Sequence, residues 1–552
     1  MKQLAKIFAL VLLSATAQVS RLSALPDTRA EAEKDPVLGA MLAEMDRSRN
    51  DLVLTGFARP YFIEYRLEEI EDYQTKADFG AMLGDALRHQ RLARVTVRVG
   101  NYTTDSSTAR GDGAVELAAL DNDPRAIRAA FWQATDQAYK QALAVFARKE
   151  AALKQVETPP QADDFSREKP VVSLAPRVQL PEGLGAWTHR VESASGLYRN
   201  DSAVSAHQLD VQYSTALFHA RAVTTYLINS EGSIVRKGGM TFDENFAAGT
   251  QAQDGMHLDR SYGSIGNKLA DLDTKDAFEK HAETLLASLI ELRAAPLVEE
   301  EYHGPVLVSA DASADVMATL VAPAVVADRP DLGTEARTKG AYASSYHTRV
   351  LPDFLTVVDD PGLQSWEGRS LIGSYSVDDE GVAAQRVNLI TDGRLENYLI
   401  GREPVRDFPQ SNGHGRAPVT GPAQPVIGVL QVTASGGLTE TAMDEKLLAL
   451  ARERGLKDAY VVETMGPELT PRLLYRISAA GTRQLVRGAV LDDLDQRALR
   501  SGIVAAGNSL FVANYPLAIP QTVLAPALLF DDITIRRANE KNDKLPYYPP
   551  PE

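Results

Sequence analysis

The chain contains no cysteine in 552 residues, which excludes disulfides and removes thiolates as metal ligands, so stability has to come from buried apolar cores. Histidine is scarce as well, at 9 residues, and none falls between His303 and His347. Basic residues are outnumbered, 58 Lys and Arg against 74 Asp and Glu, for a formal charge of −16. That sign argues against nucleic acid as a partner, because binding a polyanion rests on clustered Lys and Arg that release phosphate counterions. Long apolar runs are missing too. The run from Ile7 to Leu13 is too short to cross a bilayer as a helix, and no later segment is long and apolar enough.

What is present begins with a leader. Lys2 and Lys6 precede the apolar run, and Ala15, Thr16 and Ala17 follow it. This order reads as a cleaved secretory signal peptide over residues 1–17, which places the mature protein in the periplasm or outside the cell. The remaining length and the 44% apolar content suffice for two domains with substantial cores.

The first domain is expected over residues 27–295. Asp35 to Leu52 has helical apolar spacing behind Asp35 and Pro36, and Tyr61 to Glu69 and Ala93 to Tyr102 read as strands, with Asp78 to Leu92 between them as a mixed segment. Asp123 to Val156 reads as a long helix with Pro124 at its first position and Trp132, Tyr139, Leu143 and Phe146 along its packing stripe. The Pro-rich stretch 157–185 reads as a linker or extended loop. Gln208 to Val235 gives two strands joined to a third through Asn229-Ser230-Glu231-Gly232, and Asp273 to Ala294 gives a further helix. Glu299, Glu300 and Glu301 form a solvated junction.

The second domain is expected over residues 301–538, followed by an extended tail over 539–552. Short apolar segments punctuated by Gly, Pro and Asp favour a mostly β architecture with added helices at Asp444 to Arg454 and Leu491 to Arg500. The class is therefore α+β: an N-terminal α/β domain with an antiparallel sheet and long helices, then a β-rich C-terminal domain.

The candidate chemistry lies in the second domain. Gly304 to Val308 is a strand that feeds the helical run ADASADVMATLVA. Asp311 and Asp315, four residues apart, sit on one helical face where they could share a hard cation, although Asp and Ser at a helix start also cap free N–H groups. Asp359-Asp360 and Asp378-Asp379-Glu380 could assemble an acid/base pair, or could be turn residues that accept backbone N–H bonds. His414, between two glycines beside Arg416, is expected on an exposed loop. His303 and His347 read as structural histidines.

The strand–helix pair, followed in order by LTVVDD, SVDDEG, GRLENYLIGRE and SNGHGR, resembles the TldD/PmbA family of metalloprotease-like proteins. The resemblance implies a zinc site of the form H-E-x-x-x-H plus a distal Cys in the proteolytic members, in which imidazoles and a thiolate hold the metal and the Glu works on its bound water. Here those positions carry Ser309, Ala310 and Ala314, and cysteine is absent. The site is degenerate, as on the PmbA-like side of the family, so no catalytic residue and no cofactor are expected. Asp311 and Asp315 remain as weak metal candidates, and Asp359, Asp360, Asp378, Asp379, Glu380, His414 and Arg416 as candidates for a substrate groove. The resemblance further implies a homodimer or a TldD-like partner subunit, and peptide or unfolded polypeptide as ligand. A peptidase with a site rebuilt from Asp311, Asp315, Asp359, Asp378 or His414, and a structural envelope protein, are the alternatives.

Overall fold

The computed structural model describes residues 28–107, 113–157, 160–199 and 211–539. The leader and most of the tail lie outside them.

The chain enters through helix α1 (Pro36–Asp51), started by Asp35, whose carboxylate accepts from the N–H groups of Val37 and Leu38 while Pro36 takes the first helical position. Its apolar face, Val37, Leu38, Met41, Leu42 and Met45, is buried. Two long strands follow, β1 (Pro60–Asp78) and β2 (Ala81–Val99). The hairpin turns at Phe79 and Gly80, both at positive φ, of 48° and 79°. Glycine adopts that region freely, and the strained phenylalanine is held by an edge-on contact with Tyr198, the ring centroids 5.3 Å apart. The stretch Asp78 to Leu92 is thus strand, not the mixed segment expected. From Ala81 to Gln90 every residue of β2 is exposed, so no alternation marks it, and pairing with β1 alone imposes its conformation.

After β3 (Ala114–Ala118) comes α2 (Pro124–Leu153). Its packing stripe runs through Ile127, Phe131, Ala134, Ala138 and Tyr139. Trp132, expected on that stripe, is 55% exposed because Phe131 takes the inward position beside it. The Pro-rich stretch is extended as expected, yet it packs on the domain: Phe165 is buried, and β4 (Val172–Leu174) adds a parallel strand. Helix α3 (Trp187–Gly196) leads to β5 (Val211–Asn229), one continuous strand where two were expected. The turn into β6 (Ile234–Gln251) falls where the sequence placed it; the Asn229 side chain accepts from the N–H groups of Glu231, Gly232 and Ser233. β7 (His257–Gly266) and α4 (Lys275–Ala294), the helix expected there, complete this half, with the apolar face Phe278, Ala282, Leu285, Leu286 and Leu289 buried. The sheet order is β3-β2-β1-β5-β6-β4, with β7 also on β6.

The second half is built on an 11-stranded sheet. Its main strands are β8 (Tyr302–Val308), β9 (Leu355–Asp359), β10 (Val387–Thr391), β11 (Val429–Ala434), β12 (Asp458–Met465), β13 (Pro471–Ser478), β14 (Arg483–Val486), β15 (Ile503–Tyr515) and β16 (Gln521–Arg537). The order is β10-β9-β11-β16-β8-β12-β13-β14, with β15 also on β16. The fold is therefore α+β with a mostly β C-terminal region. β16 is the spine, pairing parallel to β11 and antiparallel to β8 and β15. Helix α5 (Ala310–Val316) leaves β8 and packs on β16 and β15, which fixes the candidate site against the sheet. Helix α6 (Glu440–Glu453) starts somewhat before its expected position, and α7 (Gln496–Ser501) is shorter than expected because Ala489–Leu491 is strand.

Candidate functional site

Two places bear on function, and the structure separates them. The first is the start of α5. Ser309 is its N-cap: the hydroxyl accepts from the N–H of Ala312 at 3.1 Å and donates to the carbonyl of Glu463 at 2.7 Å. Those contacts use the hydroxyl in the way a helix start requires. Ala310 offers no ligand atom, and Ala314 is fully buried. The donor set needed for zinc is missing at these three positions, so the residues present do not fit the metal. Among the described residues no three His, Asp or Glu side chains come together in a way that could hold a metal ion.

Asp311 and Asp315 share a face of α5, as their spacing requires. Burial, then the neighbouring Asp315, push the Asp311 carboxyl up to about 6, against the opposing charge of Arg260. Burial also raises Asp315, which accepts a hydrogen bond from the Tyr515 hydroxyl at 2.8 Å. Asp315 therefore serves β15 and not the helix cap. Tyr515 and Arg260 were not foreseen, since they arrive from β15 and β7 and no local spacing announces them.

The second place is a layer of buried charge between the two halves. Asp359 accepts from the N–H groups of Gly428 and Val429, and from His414 Nε2 at 3.1 Å. His414 is fully buried, with its Nδ1 against Asn412. The exposed loop expected there is thus corrected: the flanking glycines let the chain pass close to Glu380 and Ala383, and so carry the ring inward. Asp378 closes its own turn, accepting from the N–H groups of Glu380 and Val382, and its other oxygen accepts from Gly415. The segment is a turn, and its carboxylates also tie two loops together. Asp360, half-buried, closes a local turn onto Gly362.

Lys237 from β6 reaches the Asp379 carboxylate at 2.6 Å and the carbonyls of Val377 and Asp378. Burial opposes charge on Asp379, but Lys237, Arg416 and Arg66 outweigh it and hold its carboxyl well below the usual range. Glu380 goes the other way. Burial, then Asp378, push it up to about 8, although its Oε2 accepts from the N–H of Arg402 at 2.6 Å. The Arg416 guanidinium lies 4.1 Å over the Tyr375 ring. Arg402, 1% exposed, pairs with Glu231 at 2.8 Å, donates to the carbonyl of Ser166, and lies 4.0 Å over Phe165. Arg66 donates to the carbonyls of Pro418, Val419 and Gly421.

Asp359, Asp378, Asp379, Glu380, His414 and Arg416 are all buried, so within this chain they form a closed joint and do not wall an open groove. The carboxylate lone pairs are occupied by backbone N–H groups and cations, a pattern that fixes loops. Gly415 is part of that design, because a Cβ there would stand 2.0 Å from Glu380 Oε2. Gly415→Ala is expected to lower the unfolding free energy by about 2–3 kcal/mol, as overpacking a filled interior does, read as a lower urea midpoint; an unchanged midpoint would show the joint to be loose.

His303 and His347 are both largely exposed and paired with Glu301 and Glu396 at 2.9 Å each. They lie apart from both places as surface ion partners.

Comparison with known proteins bears on the fold and the family. No curated protein matches the sequence. The fold is shared with TldE from Thermococcus kodakarensis, at 13% identity and a TM-score of 0.60, over 90% of this chain and 99% of that one. A Thermotoga maritima protein described as a modulator of a DNA gyrase is similar at 12% identity and a TM-score of 0.59, over 90% and 99%. One from Bacteroides thetaiotaomicron with a like description gives 11% and 0.54, over 90% and 98%. Residues 300–537 match the sequence profile of the PmbA/TldA metallopeptidase C-terminal domain. That match covers the strand and helix around Ser309 to Ala314 together with the acidic joint from Asp359 to Arg416, so this half of the chain carries the C-terminal domain of the TldD/PmbA family.

Proposed function

We propose that this chain is an exported, non-catalytic member of its family, which binds peptide or unfolded polypeptide, or serves as the partner subunit of a protease-like dimer. One observation carries the reading: at Ser309, Ala310 and Ala314, the positions to which the family resemblance assigns the zinc ligands and the catalytic Glu, there is no imidazole or carboxylate, and the serine hydroxyl is already spent on the helix cap. A chain so altered keeps the architecture around the site and loses the donors. The outer edge of β2 supports the binding role. Among the described residues β3 pairs only with Arg91 to Val95, so Ala81 to Gln90 present free backbone groups to which an extended peptide can add as a strand.

A second reading, a peptidase with a rebuilt site, rests on Asp311, whose raised carboxyl beside Asp315 and Tyr515 is suited to moving protons near pH 6. The two readings separate on the purified mature protein. Metal content by mass spectrometry is expected to be below stoichiometric, and peptide hydrolysis absent with or without chelator. Stoichiometric metal with chelator-sensitive cleavage would overturn the non-catalytic reading. Cleavage insensitive to chelator but lost in Asp311→Asn would favour the second. Export is tested by sequencing the mature N-terminus, expected at Gln18.

A further inference from the structure

A cleft of about 450 Å³ opens on the N-terminal half, away from α5 and bordering the buried charge layer through Glu231. Its walls come from five parts of the chain: the last turn of α1, the start of β1, Tyr102 after β2, the Pro-rich stretch just before β4, and the turn between β5 and β6. α1, the start of β1 and the Pro-rich stretch contribute one exposed arginine apiece, Arg49, Arg59 and Arg167. None of the three has a carboxylate partner among the described residues. Arg59 donates to the carbonyl of Asn50, and Arg167 lies over the Tyr102 ring at 4.5 Å.

The two carboxylates at the cleft are already engaged from beneath. Glu231 is held by both terminal nitrogens of Arg402, at 2.8 and 3.0 Å, and by the Tyr102 hydroxyl at 2.6 Å. Glu168 accepts from the Ser166 hydroxyl at 2.7 Å and from the N–H of Ser411 at 2.9 Å. The arginines are left as an unmatched positive rim on a chain whose formal charge is −16. Leu52, Pro60, Ile63 and Pro170 supply apolar wall between them. The volume lies within the range of small-ligand sites, about 300–1,000 Å³.

We propose that this cleft binds a carboxylate carried on an apolar body, with the arginines taking the carboxylate and the aliphatic and tyrosine walls taking the body. Guanidinium suits the role, since its planar fork matches a carboxylate with two parallel hydrogen bonds. The carboxylate can belong to the C-terminus of a peptide or to a small organic acid. The site is independent of Ser309, Ala310 and Ala314, and the inference stands or falls without the proposed function.

Isothermal titration calorimetry on the mature protein tests it with four probes: the tripeptide Phe-Ala-Leu as free acid, the same tripeptide amidated, 3-phenylpropionate, and inorganic phosphate. The expected result is binding of at least one of the two carboxylates, weakened about tenfold or more by amidating the tripeptide or by combining Arg59→Ala with Arg167→Ala, a change worth about 1.4 kcal/mol. The stronger of the two carboxylates identifies the source. Thermal melting of the double variant should match the wild type, since both side chains are exposed. The proposal is overturned if neither carboxylate binds at millimolar concentration, if the double variant binds both as well as the wild type, or if phosphate binds more tightly than either.

Discussion

Arg402→Met is expected to lower the unfolding free energy by about 3–5 kcal/mol, the usual result of removing one partner of a buried ion pair. Arg402 is 1% exposed and joins three parts of the chain: the turn between β5 and β6 through Glu231, the Pro-rich stretch through the carbonyl of Ser166, and its own C-terminal loop. Methionine fills much of the space and keeps contact with the Phe165 ring, so the loss reports charge and hydrogen bonding, not a cavity. It leaves Glu231 with only the Tyr102 hydroxyl. Lys140→Met provides the contrast, since Lys140 pairs with Asp136 at 2.6 Å on an exposed helix face, where such pairs contribute about 0–1 kcal/mol. Guanidinium denaturation of both variants gives the comparison. Equal midpoints for the two would mean that the charge layer does not hold the halves together. Adding Glu231→Gln to Arg402→Met should recover part of the loss, because the uncompensated carboxylate is then gone.

The second large effect is on pH. Glu380 is raised to about 8, Glu244 to about 7, and Asp243 and Asp311 to about 6, with burial as the first cause in each case. A carboxyl raised in the folded state holds its proton more tightly there than when unfolded. Its favourable contribution is complete below the unfolded value, near 4, and is lost as pH climbs through the folded value. Asp379 has the opposite sign: its contribution is present above the unfolded value and is lost on acidification. Stability should therefore peak near pH 5 and fall between pH 5 and pH 8 by an amount on the order of several kcal/mol, since each tenfold change in proton affinity is worth about 1.36 kcal/mol. Urea unfolding at intervals across that range measures it. Glu380→Gln, which mimics the protonated group, should flatten the alkaline side of the curve. A curve that rises from pH 5 to pH 8, or a variant curve that parallels the wild type, would refute the assignment.

Much of the local architecture is legible in the sequence. The Asp35 cap with Pro36 behind it, helix α4, and the Asn229 turn are each written in local residues, and each forms where expected. The outer half of β2 is not, because its residues meet solvent on both faces and carry no alternation. His414 is misplaced for a related reason. Glycine neighbours signal conformational freedom, and freedom serves a close approach in the interior as readily as an exposed loop. At Ser309, Ala310 and Ala314 the sequence displays side chains without imidazole or thiolate, and the fold adds that Ser309 caps α5. The partners of the acidic signatures are beyond reach: Lys237 and Arg66 lie far from Asp379 along the chain, and only the meeting of two sheets brings them together.

That meeting has a consequence for the order in which the two halves assemble. The N-terminal sheet is complete at Gly266, long before residues 378 to 416 have been made. Until then Arg66 and Lys237 lie on a face that waits for its counterpart. That face is mixed: Arg66 has Glu68 beside it at 3.5 Å, and Leu227 and Val235 lie on it next to the charged groups. The docking of the later half is drawn by opposite charge over the range of the field and is then sealed by apolar contacts such as those of Leu227 and Val235 with Val377.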